Sequence, residues 1–268
     1  MQFDGKSLVI TGGGSGIGAA IARAAAAKGA KVCVSDLDGD KARAVAEEMG
    51  GLGLACDVRD EAAIQELVRE AEAAHGPVDI WVSNAGLGGG DPSHAASQPN
   101  DQWELNWQVH VMAHVYAARA LLPGMIERGS GHLVNVASAA GLLNQIGDAA
   151  YSATKHAAVS FAESLAITHA ADGIGASVVC PQYVATPLLG LSDKDARANL
   201  LTADDVARAV IEGVEAGRFL ILSHPEVGKY AAHRGADHDR WIKGMQALRA
   251  KAIETFGDVS VESFYKLV

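Results

Sequence analysis

Tyr151 and Lys155 stand at i and i+4 in Tyr151-Ser152-Ala153-Thr154-Lys155, inside an alanine-rich run that reads as a helix. That spacing puts both side chains on one helix face. A free phenol has a pKa of about 10, too high for a base at neutral pH. A nearby ammonium favours the phenolate. Lowering the phenol to about 7 takes roughly 4 kcal/mol, at about 1.36 kcal/mol per unit. One partly buried cation plus a cofactor charge can supply that. Tyr-x-x-x-Lys is nevertheless common on helix surfaces, so its surroundings must decide whether the pair does chemistry.

Two further segments bear on it. Val134-Asn135-Val136-Ala137-Ser138 reads as a buried strand that ends in serine. Thr11-Gly12-Gly13-Gly14-Ser15-Gly16-Ile17-Gly18 follows the first strand and runs directly into a helix. Glycines there allow a tight turn and let backbone N–H groups approach a pyrophosphate, and the helix N-terminus adds its positive dipole end. The second strand ends at Asp36. An acidic group there accepts hydrogen bonds from the adenosine ribose hydroxyls and repels a 2′-phosphate. Neither Ser15 nor Leu37 offsets that charge, and Asp38 adds another, so NAD is expected over NADP. Capping the next helix is an alternative role for Asp36, and one carboxylate can do both.

These pieces need a sheet to hold them. Strand-like runs cover Ser7–Thr11, Lys31–Asp36, Gly51–Ala55, Asp79–Asn84, His132–Ser138, Gly175–Pro181 and Phe219–Ser223. Helix-like runs cover Gly16–Lys28, Asp40–Met49, Glu61–Ala74, Asp101–Glu127, Ala149–Ala171 and Ala203–Ala216. The alternation predicts an α/β fold, a single Rossmann-type doubly wound parallel sheet of about seven strands with helices on both faces. The strands are nearly continuous apolar runs, as burial on both faces requires. In such a sheet ligands sit at the carboxyl ends of the strands. Ser138, Asn84 and the glycine loop all fall on that edge, where the Ser138 hydroxyl can hold a substrate oxygen beside Tyr151.

The chain of 268 residues is expected to be one dinucleotide-binding and catalytic domain over 1–268. An irregular segment at 182–201 is expected to be a substrate loop. A C-terminal extension at 224–268 carries a helix-forming stretch at 237–255 and ends on Phe264-Tyr265-Lys266-Leu267-Val268. It is read as docking on the domain or as making an oligomer contact. A net charge of −10 argues against nucleic acid or an anionic membrane as partner. No apolar run approaches a membrane span, and Met1-Gln2-Phe3-Asp4-Gly5-Lys6 does not read as a signal peptide. Cys33, Cys56 and Cys180 are far apart and form no CxxC pair, which fits buried free thiols in a reducing cytoplasm.

The sequence resembles the short-chain dehydrogenase/reductase family across about residues 3–223. The resemblance rests on the Thr11–Gly18 loop, Asp57-Val58, Asn84-Ala85-Gly86, Ser138, Tyr151–Lys155 and the stretch from Pro181 to Thr186, in that order. It implies a Rossmann-type domain, usually in a tetramer or dimer. It implies that Tyr151 is the acid/base, that Ser138 orients the substrate, and that Lys155 binds the nicotinamide ribose and lowers the Tyr151 pKa. Cofactor contacts would come from Gly12, Ser15, Gly16, Ile17, Gly18, Asp36 and Leu37. Asp57 and Val58 would meet the adenine, and Asn84, Ala85 and Gly86 would line the groove. Pro181, Val184 and Thr186 would meet the nicotinamide end.

Two departures stand out. The family's usual asparagine in the long helix is replaced: counting from Trp103 leads to His110. That position in related enzymes helps hold a relay water to the lysine, so His110 is a candidate for the same role, with a ring that titrates near neutral pH. A packed histidine with no role is the other reading. His110 and His114 share a helix face, but no third ligand accompanies them, and no metal is expected. Gln182 follows Pro181 where the family usually has glycine, so its amide is a candidate for the substrate or nicotinamide pocket.

The pocket walls are expected from Leu87–Gly90, Ala139–Gln145 with Ala140 and Leu142, Gln182, Tyr183 and Leu188–Leu191, together with Ser138 and Tyr151. They contain no Lys or Arg. The expected reaction is hydride transfer between NAD(H) and a neutral, fairly hydrophobic secondary alcohol or ketone. Two alternatives stand beside it: an NADPH-dependent reductase of an acyl chain, and a dinucleotide-binding regulator without catalysis.

Overall fold

A computed structural model describes residues 1–197, 200–260 and 264–267. Parts of the expected substrate loop (198 and 199) and of the C-terminal extension (261–263 and 268) lie outside the described residues. Seven strands form one parallel sheet: β1 (Ser7–Ile10), β2 (Lys31–Asp36), β3 (Leu52–Ala55), β4 (Ile80–Ser83), β5 (Gly131–Val136), β6 (Ile174–Val179) and β9 (Leu220–Ile221). Their order is β3-β2-β1-β4-β5-β6-β9. The crossovers reverse direction between β1 and β4, the switch point at which doubly wound sheets open a ligand crevice.

Helices cover both faces. On one lie α1 (Gly16–Ala27), α2 (Gly39–Glu47) and α7 (Ala203–Glu215), packed on Leu8, Ile10, Val34, Val82 and Val134. On the other lie α3 (Glu61–His75), α5 (Ala113–Arg128) and α6 (Ala149–His169), packed on Val9, Cys33, Trp81 and Leu133. Alternate residues of one strand face opposite layers, so β1, β4 and β5 are mostly apolar, and each is buried along its whole length, Ser7, Ser83, His132 and Asn135 included. The three cysteines are free and buried.

Helix starts follow local chemistry. Asp38, Asp60 and Asp148 accept backbone N–H bonds at the starts of α2, α3 and α6, and Thr202 with Asp205 forms a capping box on α7. The cap of α2 is thus Asp38, not Asp36.

Three features depart from the expected elements. The helix expected over 101–127 is α4 (Asn100–Trp107), a π-helical turn (Gln108–Met112) and α5. The 182–201 segment carries β7 (Val184–Ala185) and ends against β8 (Leu201–Thr202), which pairs with it in parallel. The tail holds α8 (Pro225–Ala236), which the sequence reading missed, before α9 (His238–Phe256). No helix among the described residues is long and apolar enough to cross a membrane.

Candidate active site

The glycine loop sits between β1 and α1, and close contact explains its composition. A Cβ on Gly18 would lie 2.3 Å from the Gly12 carbonyl oxygen, and one on Gly12 would lie 2.7 Å from Ala85 Cα. Asn84 holds the loop from the neighbouring strand, its Nδ2 donating to the carbonyls of Thr11 and Gly12 at 3.0 Å each. Thr11 Oγ1 in turn accepts the N–H groups of Asn84 and Ala85. Thr11 is therefore part of the cradle, a role its place at the head of the motif did not reveal.

Gly16, Ile17 and Gly18 open α1, and Ser15 makes no side-chain cap there. The first N–H groups of a helix lack intrahelical acceptors, so this end is suited to an anion. Gly16 faces Thr186, whose Cγ2 would lie 3.4 Å from a Cβ placed on the glycine. The cradle is bounded by the glycine loop and by the strand after Pro181, and its glycines, helix N-terminus and Asn84 fit a dinucleotide. Asp36 Oδ2 accepts from Gly14 N at 2.9 Å and Oδ1 from Asp38 N at 3.1 Å. These bonds aim the carboxylate along the end of β2. Leu37 beside it is 71% exposed, a large apolar surface. The Asp57 carboxylate is held by the Arg59 guanidinium, which keeps it below its ordinary pKa.

The catalytic candidates converge at the carboxyl ends of β4 and β5. Ser138 follows β5, and its Oγ accepts from Ala140 N at 3.1 Å. Ala139 N donates to the Pro181 carbonyl at 2.7 Å, which joins this turn to the strand end of β6. Tyr151 lies in the first turn of α6, and its N–H donates to Asp148 Oδ1 at 3.1 Å. Its phenol hydrogen-bonds Ser138, which favours the ionised form, yet burial outweighs that and pushes the pKa up from the ordinary value. Lys155 Nζ stands 5.5 Å from the Tyr151 ring centroid and donates to the Val136 carbonyl at 3.2 Å. Burial lowers the lysine to about 8. In the chain by itself burial therefore sets the direction at Tyr151, with Lys155 standing beside its ring. Loss of hydration disfavours the charged form of both groups, the phenolate and the ammonium.

His110 lies in the π-helical turn and is wholly buried. Its Nε2 accepts from Leu87 N at 3.1 Å, and its Nδ1 lies 3.0 Å from Thr154 Oγ1. Thr154 donates its own proton to the Ala150 carbonyl at 2.9 Å, so Nδ1 carries the hydrogen. Both ring nitrogens are committed. Burial and the nearby Lys155 charge hold the ring well below its ordinary pKa. The expected titrating step near neutral pH is corrected on both grounds, while the place of the residue beside Tyr151 and Lys155 stands. His114, one turn on, is also buried, and burial takes it down to about 3.

The expected pocket walls are brought to the same edge: Ala140 is buried, Leu142 and Gln182 are half-buried, and Leu188 is 54% exposed. Tyr183 Oη donates to Gln145 Oε1 at 3.5 Å. Two residues escaped the sequence reading. Asp148, buried and with its carboxyl raised by burial, starts the helix of Tyr151. His224, 2% exposed, accepts from Gln182 N at Nδ1 and donates from Nε2 to the Tyr183 carbonyl, at 3.2 and 3.1 Å. It clamps the turn leaving β6. No spacing pattern links it to that turn.

Comparison with known proteins agrees with this geometry. Residues 6–197 match the profile of the short chain dehydrogenase family. The oxidoreductase UcpA of Salmonella typhimurium is 33% identical over 255 residues, covering 91% of this chain and 93% of that one. D-beta-hydroxybutyrate dehydrogenase of Cupriavidus necator is 32% identical, with 91% and 95% covered. Among solved structures, a short-chain dehydrogenase/reductase of Burkholderia phymatum in complex with NAD superposes with a TM-score of 0.81 at 30% identity, covering 89% of this chain and 96% of that one. With strand order, motif order and relatives in accord, the chain belongs to the short-chain dehydrogenase/reductase family and is an oxidoreductase of an alcohol or ketone that works with a nicotinamide dinucleotide.

Proposed function

We propose that the chain interconverts a neutral, mostly apolar secondary alcohol and its ketone with NAD(H), and that Tyr151 moves the proton. The observation that carries this reading is the meeting of Ser138, Tyr151 and Lys155 at the strand edge beside the glycine cradle. When bound there, the nicotinamide supplies or takes up the hydride. Ser138 Oγ, oriented by Ala140 N–H, and the Tyr151 hydroxyl together receive the substrate oxygen. Tyr151 takes the hydroxyl proton in oxidation and returns it to the ketone oxygen in reduction. Lys155 keeps positive charge near the phenol, with one N–H on Val136 and others free for ribose hydroxyls. His110 acts as a positioning residue.

The choice of NAD rests on Asp36 and on Leu37, whose exposed side chain offers an apolar face to an adenine. The similar Burkholderia phymatum structure holds NAD, which supports it. The substrate reading rests on the walls, which lack Lys and Arg. Two arginines stand near the walls and are engaged by protein groups, Arg234 with the Leu142 carbonyl and Arg197 with the Tyr265 ring. A hydroxy acid is the second reading, because the Cupriavidus necator relative is named for hydroxybutyrate. Self-association is part of the proposal. The outer faces of α5 and α6 form an apolar groove with Val115, Leu122, Phe161 and Leu165, and Ile167 nearby is 80% exposed.

The test is a panel of secondary alcohols, 3-hydroxybutyrate among them, followed by NADH absorbance. The wild type is expected to oxidise apolar members best. Tyr151→Phe is expected to bind NADH yet lose turnover by at least about a hundredfold, the low end for a general acid/base. Strong residual turnover removes Tyr151 from the role, and a carboxylate as best substrate removes the apolar reading.

A further inference from the structure

The substrate side of the site has a wall that the catalytic residues do not supply. After α9 the chain turns at Gly257, in the left-handed conformation with φ 78°, and runs back toward the loop before α6. There Phe264 and Val259, 2% and 5% exposed, are buried against Ile146 and Tyr183. The Tyr265 ring meets that of Tyr183 edge-on at 6.3 Å and 61°. The Arg197 guanidinium lies over the Tyr265 ring at 5.3 Å from its centroid. A Cβ on Gly147 would stand 2.7 Å from the Val259 carbonyl oxygen. The returning main chain therefore rests on the glycine directly before Asp148, the cap of the Tyr151 helix. From α8, Arg234 Nη1 donates to the Leu142 carbonyl at 2.8 Å. Leu142, Ile146 with Gly147, and Tyr183 are separate positions on the pocket wall, and each meets the C-terminal extension.

We propose that Val259, Phe264 and Tyr265 roof the substrate site, and that Tyr265, seated on Tyr183 and beneath Arg197, sets the upper limit on substrate length. This rests on the apolar-alcohol reading and narrows it to compact molecules that fit wholly inside the site. A carrier-bound acyl chain must trail a long arm out to its carrier and needs an open mouth. A roof anchored by a buried phenylalanine denies it one, and it also keeps water from the reacting carbon. Tyr183 contributes apolar bulk and a fixed polar edge: burial raises its phenol to about 12, so it stays protonated and donates to Gln145.

The experiment compares cyclohexanol with 2-decanol, both with NAD, in the wild type, Tyr265→Ala and Arg197→Ala. The roof predicts that kcat/KM for 2-decanol relative to cyclohexanol rises about tenfold in Tyr265→Ala and less in Arg197→Ala. The Kd for NADH, read by its fluorescence, is expected to stay within about twofold. A general loss of structure lowers both substrates together and does not move that ratio. Arg197 is exposed, so its variant tests the roof even where Tyr265→Ala does not fold. An unchanged ratio in the folded variants overturns the proposal. If the wild type oxidises neither alcohol, the apolar-alcohol reading fails, and the roof is read by hydrogen exchange instead. Amides 145–148 then exchange about tenfold faster in Tyr265→Ala if the tail covers them, and equal rates refute the cover.

Discussion

His110 Nδ1 lies 3.0 Å from Thr154 Oγ1, and its ring stands edge-on to Tyr151 with centroids 5.3 Å apart and planes at 88°. Through Nε2 the same ring holds Leu87 N, in the loop that leaves β4 beside the cofactor groove. One imidazole thus fixes the catalytic helix against the groove. Replacing it by phenylalanine keeps the shape, strands the Leu87 N–H and takes from Thr154 Oγ1 the N–H it accepts, at a cost on the order of 2 kcal/mol. His110→Phe is expected to lower the Tm and to reduce kcat by about tenfold, the equivalent of about 1.4 kcal/mol at the transition state. His110→Asn is expected to change the rate without removing any ionisation from the pH profile. A neutral-pH step present in the wild type and lost in His110→Asn would contradict the assignment.

The two catalytic groups give the two directions opposite pH dependence. Burial raises the Tyr151 phenol, and alcohol oxidation needs the phenolate, so the oxidation rate is expected to climb with pH across the neutral and alkaline range. Ketone reduction needs the phenol and the Lys155 ammonium, so its rate is expected to decline as pH passes through about 8. Initial rates in both directions across this range check the pair. A flat oxidation profile, with chemistry shown to be rate-limiting, counts against Tyr151 as the base.

Asp36 has a cofactor role separable from its structural one. Asp36→Ser removes the charge that opposes a 2′-phosphate and the acceptor for the ribose hydroxyls. It is expected to reduce the NAD:NADP ratio of kcat/KM by about a hundredfold, roughly 2.7 kcal/mol. It also loosens Gly14 N and Asp38 N, so some loss of Tm accompanies it. A wild type that already prefers NADPH would overturn the assignment outright.

Buried histidines tie stability to pH. Burial drives His114 to about 3 and His132 to about 4. The unfolded chain takes up these protons below about 6.5 while the folded chain refuses them, so stability falls as pH falls. At about pH 5 each residue accounts for roughly 2 kcal/mol lost relative to neutral pH. Thermal unfolding between about pH 7 and 5 is expected to show that decline, and His114→Leu is expected to flatten it. An NMR titration placing His114 near 6.5 in the folded protein would remove the explanation.

What the sequence made legible was local. Mostly apolar runs such as Ser7–Ile10 and His132–Val136 announce buried parallel strands, because a sheet covered on both faces leaves few positions to water, though Ser7, His132 and Asn135 are buried with the rest. The glycine loop announces itself because each close approach forbids a side chain. The π-helical turn at Gln108–Met112 left no trace, since its residues keep the apolar character of the helix around it. Nor did His224, whose partners Gln182 and Tyr183 lie in another part of the chain. The competition between Asp36 and Asp38 for the cap of α2 is decided by the hydrogen bonds alone: Asp38 takes the helix N–H groups and leaves Asp36 to the loop. The tail cluster was equally hidden, because Phe264 meets Ile146 and Tyr183 only through the fold.

The sheet ends on one side in β9, just Leu220–Ile221, and on the other in β3, Leu52–Ala55. A free edge is a template on which another chain can add a strand, and a two-residue edge offers almost no ladder to extend. With the net charge of −10 adding mutual repulsion, crowded copies of this protein have little means of joining sheet to sheet. The longer of these two edges is the four-residue β3, where a lysine introduced at Gly53 is the wrong remedy: the Arg43 backbone already stands 2.5 Å from where its Cβ would go. Resistance to fibrous aggregation is in this fold a matter of strand length, set where the last crossover delivers so short a final strand.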